Sequence, residues 1–435
     1  MEKLLDMARK VCDQAEIYYC DPTASEVMFQ KGELHDIESQ FQSGMALRII
    51  KDGKLGFSYT KNLINREEFL QNALNSLTGG VQALYDFPKT ANLPELKTYN
   101  DHLAEVTSSS MVENCQRIAD VFLKNTDAEI EVVAYKEIQN VRVLNTHGTD
   151  VQSKMGSNGY WLGLVYPGGG AGISRVYEEK IPFSISHNIL DDLVKMYNDS
   201  SKVRTISGSK MKVLFMPGSM YTLLWRLHSG TSAKSIYEDI SPIKNDIGKE
   251  ILSNSITLYD DPLNDKVPGA RSFDDEGVPT KKINIIEKGI LKNFFYDMNY
   301  AQKLGKKSTG HGYRTTMWGG DSITLKPSPR LGHPRIEPGE KSFEELVAMM
   351  DKGIILDGVM GAHSGNIPNG DYSVGVSPGL YVEKGEIVGR VKDVMVAGNV
   401  YDTLKKVIAI ENRLHPCWGG RMPAILCDSI SVSSK

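Results

Sequence analysis

Four short stretches of this 435-residue chain combine residue types that do chemistry at close range. Pro167-Gly168-Gly169-Gly170-Ala171-Gly172 has the backbone freedom to bring amide groups close to an anion. No Lys-Ser or Lys-Thr pair follows it and no helix start is evident, so it is predicted as a connection between strands at 160–166 and 173–177. Gly361-Ala362-His363-Ser364-Gly365 sets a base beside a hydroxyl but lacks the Gly-x-Ser-x-Gly spacing of a nucleophile elbow, and reads as a glycine-rich turn. Asp274-Asp275-Glu276-Gly277 offers hard oxygens to a divalent cation without the alternation of an EF-hand, and is expected to be a solvated acidic loop. His415-Pro416-Cys417 holds an imidazole and a thiol, both zinc ligands, at a separation fixed by the proline; a third ligand would have to come from elsewhere.

The elements that must position these groups belong to an ordinary globular protein. Hydrophobic residues make up 40% and charged residues 24%, which disfavours wholesale disorder, and the length suits two or three domains. Fifty basic against 54 acidic side chains leave a net charge of −4, so direct nucleic-acid binding is disfavoured. No apolar run is long enough to span a bilayer and Met1-Glu2-Lys3-Leu4-Leu5-Asp6 lacks a signal peptide's apolar region, so a cytoplasmic location without membrane contact is expected. The odd number of cysteines, Cys12, Cys20, Cys115, Cys417 and Cys427, without C-x-x-C spacing, argues for free thiols.

Apolar spacing at Leu4, Leu5, Ala8, Val11, Cys12 and Ala15 predicts an opening helix, followed by strand-like stretches at 16–20 and 25–30. Strands at 44–50 and 55–60 flank Asp52-Gly53, a type I′ hairpin signal. Asn65 and Glu68 cap a helix carrying Phe69, Leu70, Ala73, Leu74 and Leu77, and Val112, Cys115, Ile118, Ala119 and Phe122 mark another. Strand character returns at 130–135 and 141–145. Hairpins without regular strand–helix alternation favour α+β over a doubly wound parallel sheet. The polar, small-residue stretch 198–210 places a boundary between an N-terminal domain, 1–203, with an antiparallel sheet and helices, and a mainly β C-terminal domain, 204–435. Turns such as Glu287-Lys288-Gly289 and Lys384-Gly385 punctuate the latter, and Ser342 with Glu345 caps a helix inside it.

The stretch Gly269-Ala270-Arg271-Ser272-Phe273-Asp274-Asp275-Glu276-Gly277-Val278-Pro279-Thr280, with Ile285 to Leu291, resembles the TldD/PmbA family, once called modulators of DNA gyrase. The likeness continues through Ser308-Thr309-Gly310-His311, Gly370 to Gly375, Val382 to Ile387 and Val396 to Val400. Upstream, Val143 to Gly148 looks like the family's Asn-Ser-His-Gly turn and Arg48 to Tyr59 like its first hairpin. This resemblance implies a two-domain α+β fold and a dimer acting on peptides. In the TldD-like branch it also implies a helix with H-E-x-x-x-H and a later Cys holding zinc, whose bound water the Glu deprotonates.

The corresponding helix here is Tyr221 to Gly230, with Trp225, Arg226 and Gly230 at the His, Glu and His positions. Trp and Gly supply no ligand and Arg stays protonated. The resemblance therefore implies a PmbA/TldE-like subunit without catalytic residues or zinc of its own, working with a zinc-bearing TldD-like subunit or as a homodimer on an extended peptide. By position in the family's motifs, His311, His363, Asn366, Asp371 and Tyr372 are the expected peptide-contacting residues. Two alternatives stay open: a self-sufficient metallopeptidase with zinc relocated to His228, His415 and Cys417, and a non-proteolytic modulator that binds DNA gyrase.

Overall fold

The computed structural model describes residues 1–62, 64–316, 319–417 and 419–434. Two long strands, Gln14–Gln30 and Glu129–Asn145, run antiparallel from Glu16 opposite Asn145 to Gln30 opposite Glu131 and form the spine of the first layer. Each was expected as two shorter strands, because Asp21-Pro22-Thr23 and Lys136 to Asn140 interrupt the apolar alternation. The ladder runs through those half-buried middles without a break, since backbone pairing does not need an apolar side chain at every position.

The remaining strands flank this pair: Gly44–Lys51, Lys54–Thr60 and Val81–Gln82 on one side, Asp150–Val165 and Gly172–Glu179 on the other, with Glu33–Phe41 beside the far half of Gln14–Gln30. Asp52 and Gly53, with φ of 51° and 68°, make the expected type I′ hairpin. The glycine-rich run 167–172 is the connection between two antiparallel strands, as its flanks predicted. Helix Ser108–Asn125 covers the sheet with Met111, Cys115, Ile118, Ala119 and Phe122. Helices Glu2–Ala8 and Arg66–Asn75 bury Leu4, Leu5, Phe69 and Leu70 against Ile17, Leu47 and Ile49.

The chain beyond residue 203 builds two large further sheets and a small two-stranded one, Gly312–Tyr313 with Ser328–Pro329. Strand Ser209–Phe215 lies at the centre of the largest, antiparallel to Ile425–Ser434 and parallel to Lys352–Leu356. Its period of two is fully used: Val213 and Phe215 enter one core while Leu214 joins another, shared with Phe122, Leu162 and Leu190 of the N-terminal half. The second large sheet runs Ile290–Leu291, Ile283–Glu287, Leu258–Asp260, Pro334–Ile336, Gly420–Met422, His415–Cys417. Helix Pro217–Thr231 contributes Met220, Leu223, Leu224 and Leu227 to a core that also holds side chains of both these sheets. The fold is thus α+β, antiparallel in its first sheet and β-rich in its C-terminal half, as the hairpin pattern predicted.

The acidic cluster 274–276 departs from expectation. A solvated loop was predicted, yet Asp274, Asp275 and Glu276 are 0%, 4% and 1% exposed. They are buried because their charges are met. Arg48 holds Glu16 through Nε and Nη2 at 2.8 Å and Glu276 through Nη1 at 3.1 Å, while Arg271 donates to Asp275 at 2.7 Å. Asp274 accepts the backbone N–H groups of Glu276, Val278 and Gly312, and a Cβ at Gly312 would overlap the Glu276 carboxylate. Burial pushes the neighbouring Asp297 carboxyl up to about 8, so the surplus of acids is relieved by a proton. Arg48 thereby ties the first sheet to the C-terminal half. Its replacement in Arg48→Met strands two buried carboxylates, and should cost about 3–5 kcal/mol of unfolding free energy in urea. A loss within experimental error would show that the network carries no such weight.

Candidate functional site

Helix Pro217–Thr231 starts with Pro at its first turn and is packed on several sides, which its run of Met, Leu and Thr allows. Trp225 is half-buried on it; Arg226 is fully buried. The Arg226 guanidinium donates from Nη1 to the Thr222 carbonyl at 2.9 Å, from Nη2 to Ser364 at 2.7 Å and from Nε to Asp371 at 2.7 Å. Tyr372 lies under it, with the ring centroid 6.0 Å from Cζ. Burial draws its pKa down to about 10, which leaves it protonated at neutral pH. The group is a cation that clamps backbone and cannot accept a proton from water.

Gly230 is equally committed. A Cβ there would overlap the Tyr401 hydroxyl, so the space a histidine would need is filled from helix Val400–Leu404. The potential zinc ligands do not converge either. His415 Nε2 lies 3.1 Å from both oxygens of Glu411, and Glu411 also accepts the Ala424 N–H. The His228 ring packs against Phe295, 5.0 Å between centroids, and burial pulls its pKa well down. Burial pushes the Cys417 thiol up to about 12, leaving it uncharged at neutral pH. Among the described residues no three His, Cys, Asp or Glu side chains gather as a metal-binding group, so the relocated set His228, His415 and Cys417 is not assembled. Among the described residues, His228, His415 and Cys417 do not fit a zinc ion.

The five residues expected to contact peptide are scattered. His311 is buried, with Nε2 3.3 Å from Asp260 and Nδ1 on Thr309. His363 and Asn366 are exposed on the loop that Arg226 holds. Asp371 accepts from Asn369 and Asn399, which keep its carboxyl below the usual range. Tyr372 is buried on Thr403. None of the five lines the cleft between the two halves.

That cleft has a volume of about 700 Å³. Val176 and Glu178 of edge strand Gly172–Glu179 line one side, Pro416 and Cys417 of edge strand His415–Cys417 another. Arg421 Nη2 donates to the Glu178 carbonyl at 3.0 Å and bridges the two. Arg271 appeared in the sequence only as part of a motif, and Arg335 and Arg421 not at all; basic side chains on short strands next to His333 and Cys417 were the signal available.

Helix Pro217–Thr231 thus lies in the core shared by the two C-terminal sheets, and the cleft opens beside Cys417. Residues 208–434 match the family model for the PmbA/TldA metallopeptidase C-terminal domain, and residues 15–77 that for PmbA/TldA metallopeptidase domain 1. The chain belongs to the PmbA/TldD metallopeptidase family. It is 24% identical to Metalloprotease PmbA of Escherichia coli O157:H7, covering 99% of this chain and 94% of that one. TldE from Thermococcus kodakarensis superposes with a TM-score of 0.90 at 25% identity over the full length of both chains. A Thermotoga maritima structure, described as a proposed modulator of a DNA gyrase, matches at 0.85 and 25% identity over 99% of each chain.

The filled helix yields a test. Gly230→Ala should destabilise by about 1–3 kcal/mol through overpacking against Tyr401, and Tyr401→Phe in the same chain should recover part of the loss. Additive losses in thermal unfolding would contradict the packing described.

Proposed function

We propose that this chain is the PmbA/TldE-like, zinc-free subunit of a peptide-processing assembly, and that a TldD-like partner bearing H-E-x-x-x-H supplies the hydrolytic metal. The observation that carries this reading is Arg226: the place of the general base is taken by a buried cation bonded to three carbonyl oxygens. The sequence supports it further, because none of its nine histidines is followed by glutamate. When bound by the partner, zinc would lower the pKa of a water to about 7. This chain's part is to hold substrate. Edge strands Gly172–Glu179 and His415–Cys417 flank the cleft, and an extended peptide can add to either by main-chain hydrogen bonds with little sequence demand.

The peptide reading is preferred to gyrase modulation because the cleft offers sheet edges, whereas nothing in the geometry selects a topoisomerase. No helix among the described residues is long and apolar enough to cross a membrane, which agrees with work on peptides in an aqueous compartment. Metal analysis of the purified chain is the direct check. Zinc should stay far below one equivalent after dialysis, and Cys417→Ala should not change it. A full equivalent that disappears in Cys417→Ala would overturn the zinc-free reading.

A further inference from the structure

One wall of the cleft is built from hydrogen-bond donors that lack acceptors. Arg335, Arg271 and Tyr313 line it, and each is more than nine-tenths buried. Nε and Nη2 of both arginines and the Tyr313 hydroxyl have no partner. Arg271 spends one nitrogen on Asp275. Arg335 makes no ion pair with any carboxylate among the described residues. Buried donors are almost always paired, and an unpaired buried cation is more costly still.

A second feature sharpens the point. Arg335 and Arg421 are direct register partners on neighbouring parallel strands, Pro334–Ile336 and Gly420–Met422. Like charges placed opposite one another destabilise a sheet. Burial lowers the pKa of Arg421; Glu178 and Glu179 act against that shift, and the Arg335 charge acts with it. Arg421 likewise has no ion-pair partner among the described residues; its one bond is to the Glu178 carbonyl. The wall therefore has two adjacent guanidinium groups, Arg335 and Arg421, neither in an ion pair among the described residues, and several spare donors.

We infer that this wall is a subsite for a carboxylate, presented by an extended peptide as its C-terminus or as an Asp or Glu side chain. A planar carboxylate matches the fork of a guanidinium and would relieve the Arg335–Arg421 repulsion. The cleft is also lined by Glu137 and Glu178, and the Glu178 carbonyl accepts from Arg421. The subsite deepens the peptide-holding reading and rests on it only for the identity of the molecule that carries the carboxylate.

Fluorescence anisotropy on the full chain alone tests it. The probes are a labelled, unstructured peptide with glutamates and a free C-terminus, its C-terminally amidated form, and an amidated form with glutamine in place of each glutamate. The acidic peptide should bind about tenfold or more tighter than the form without carboxylates, and its affinity should fall as sodium chloride is raised. Loss on amidation alone assigns the C-terminus; loss only with glutamine assigns a side chain. Arg335→Met should remove the preference for acidic peptide without lowering the melting temperature, because it takes away one of two facing like charges. Arg421→Gln should weaken the preference independently, and decides the matter where the first variant does not fold. Equal binding of acidic and neutral peptides, or wild-type preference in both variants, would overturn the subsite. Cleavage plays no part in these titrations, so failure of the subunit reading and failure of the subsite are separately visible.

Discussion

The position of one guanidinium decides what helix Pro217–Thr231 can do. Arg226 sits inside a helix, fully buried, and its charge is satisfied by the carbonyl oxygens of Thr222, Ser364 and Asp371 and the face of Tyr372. Removing it would release the loop 364–371 from the helix; keeping it forbids proton abstraction there. In this member of a family whose relatives carry metalloprotease names, Arg226 ties the helix to the loop that ends at Asp371. Tyr401 completes the change by occupying the space beside Gly230.

The second constraint is the charge network between the halves. Glu16 and Arg48 come from neighbouring strands of the first sheet, and Glu276 and Arg314 from loops of the C-terminal half. Such groups are expensive to bury and are tolerated only when every partner is in place. The network therefore fixes how the two halves meet, and with it the walls of the cleft between them. The Asp-Asp-Glu segment takes part through this placement, inside the network that joins the halves.

Much of the fold was legible because it rests on local signals. Asp52-Gly53 dictated its hairpin, Ser342 and Glu345 their capping box, and the apolar faces of 66–75 and 108–125 their helices. Burial of charge was not legible. Asp274-Asp275-Glu276 reads as solvent-facing because the arginines that neutralise it lie far away in sequence, apart from Arg271. Strand Glu33–Phe41 was also missed, since it is exposed throughout and shows no apolar alternation. At the site, the identities of Trp225, Arg226 and Gly230 were legible, but the carbonyl oxygens that hold Arg226 and the Tyr401 hydroxyl beside Gly230 were not. The cleft was not, because its donors come from separate strands and loops that only the tertiary fold brings together.

The central claim, that this chain holds peptide but does not cut it, is tested most directly by cleavage of an unstructured peptide followed by mass spectrometry. The chain should release no fragments by itself, and should do so when mixed with a family member that retains H-E-x-x-x-H. That activity should vanish when the partner's motif glutamate is changed to glutamine and should survive Cys417→Ala in this chain. Fragments produced by this chain alone, and lost in Cys417→Ala, would contradict the account.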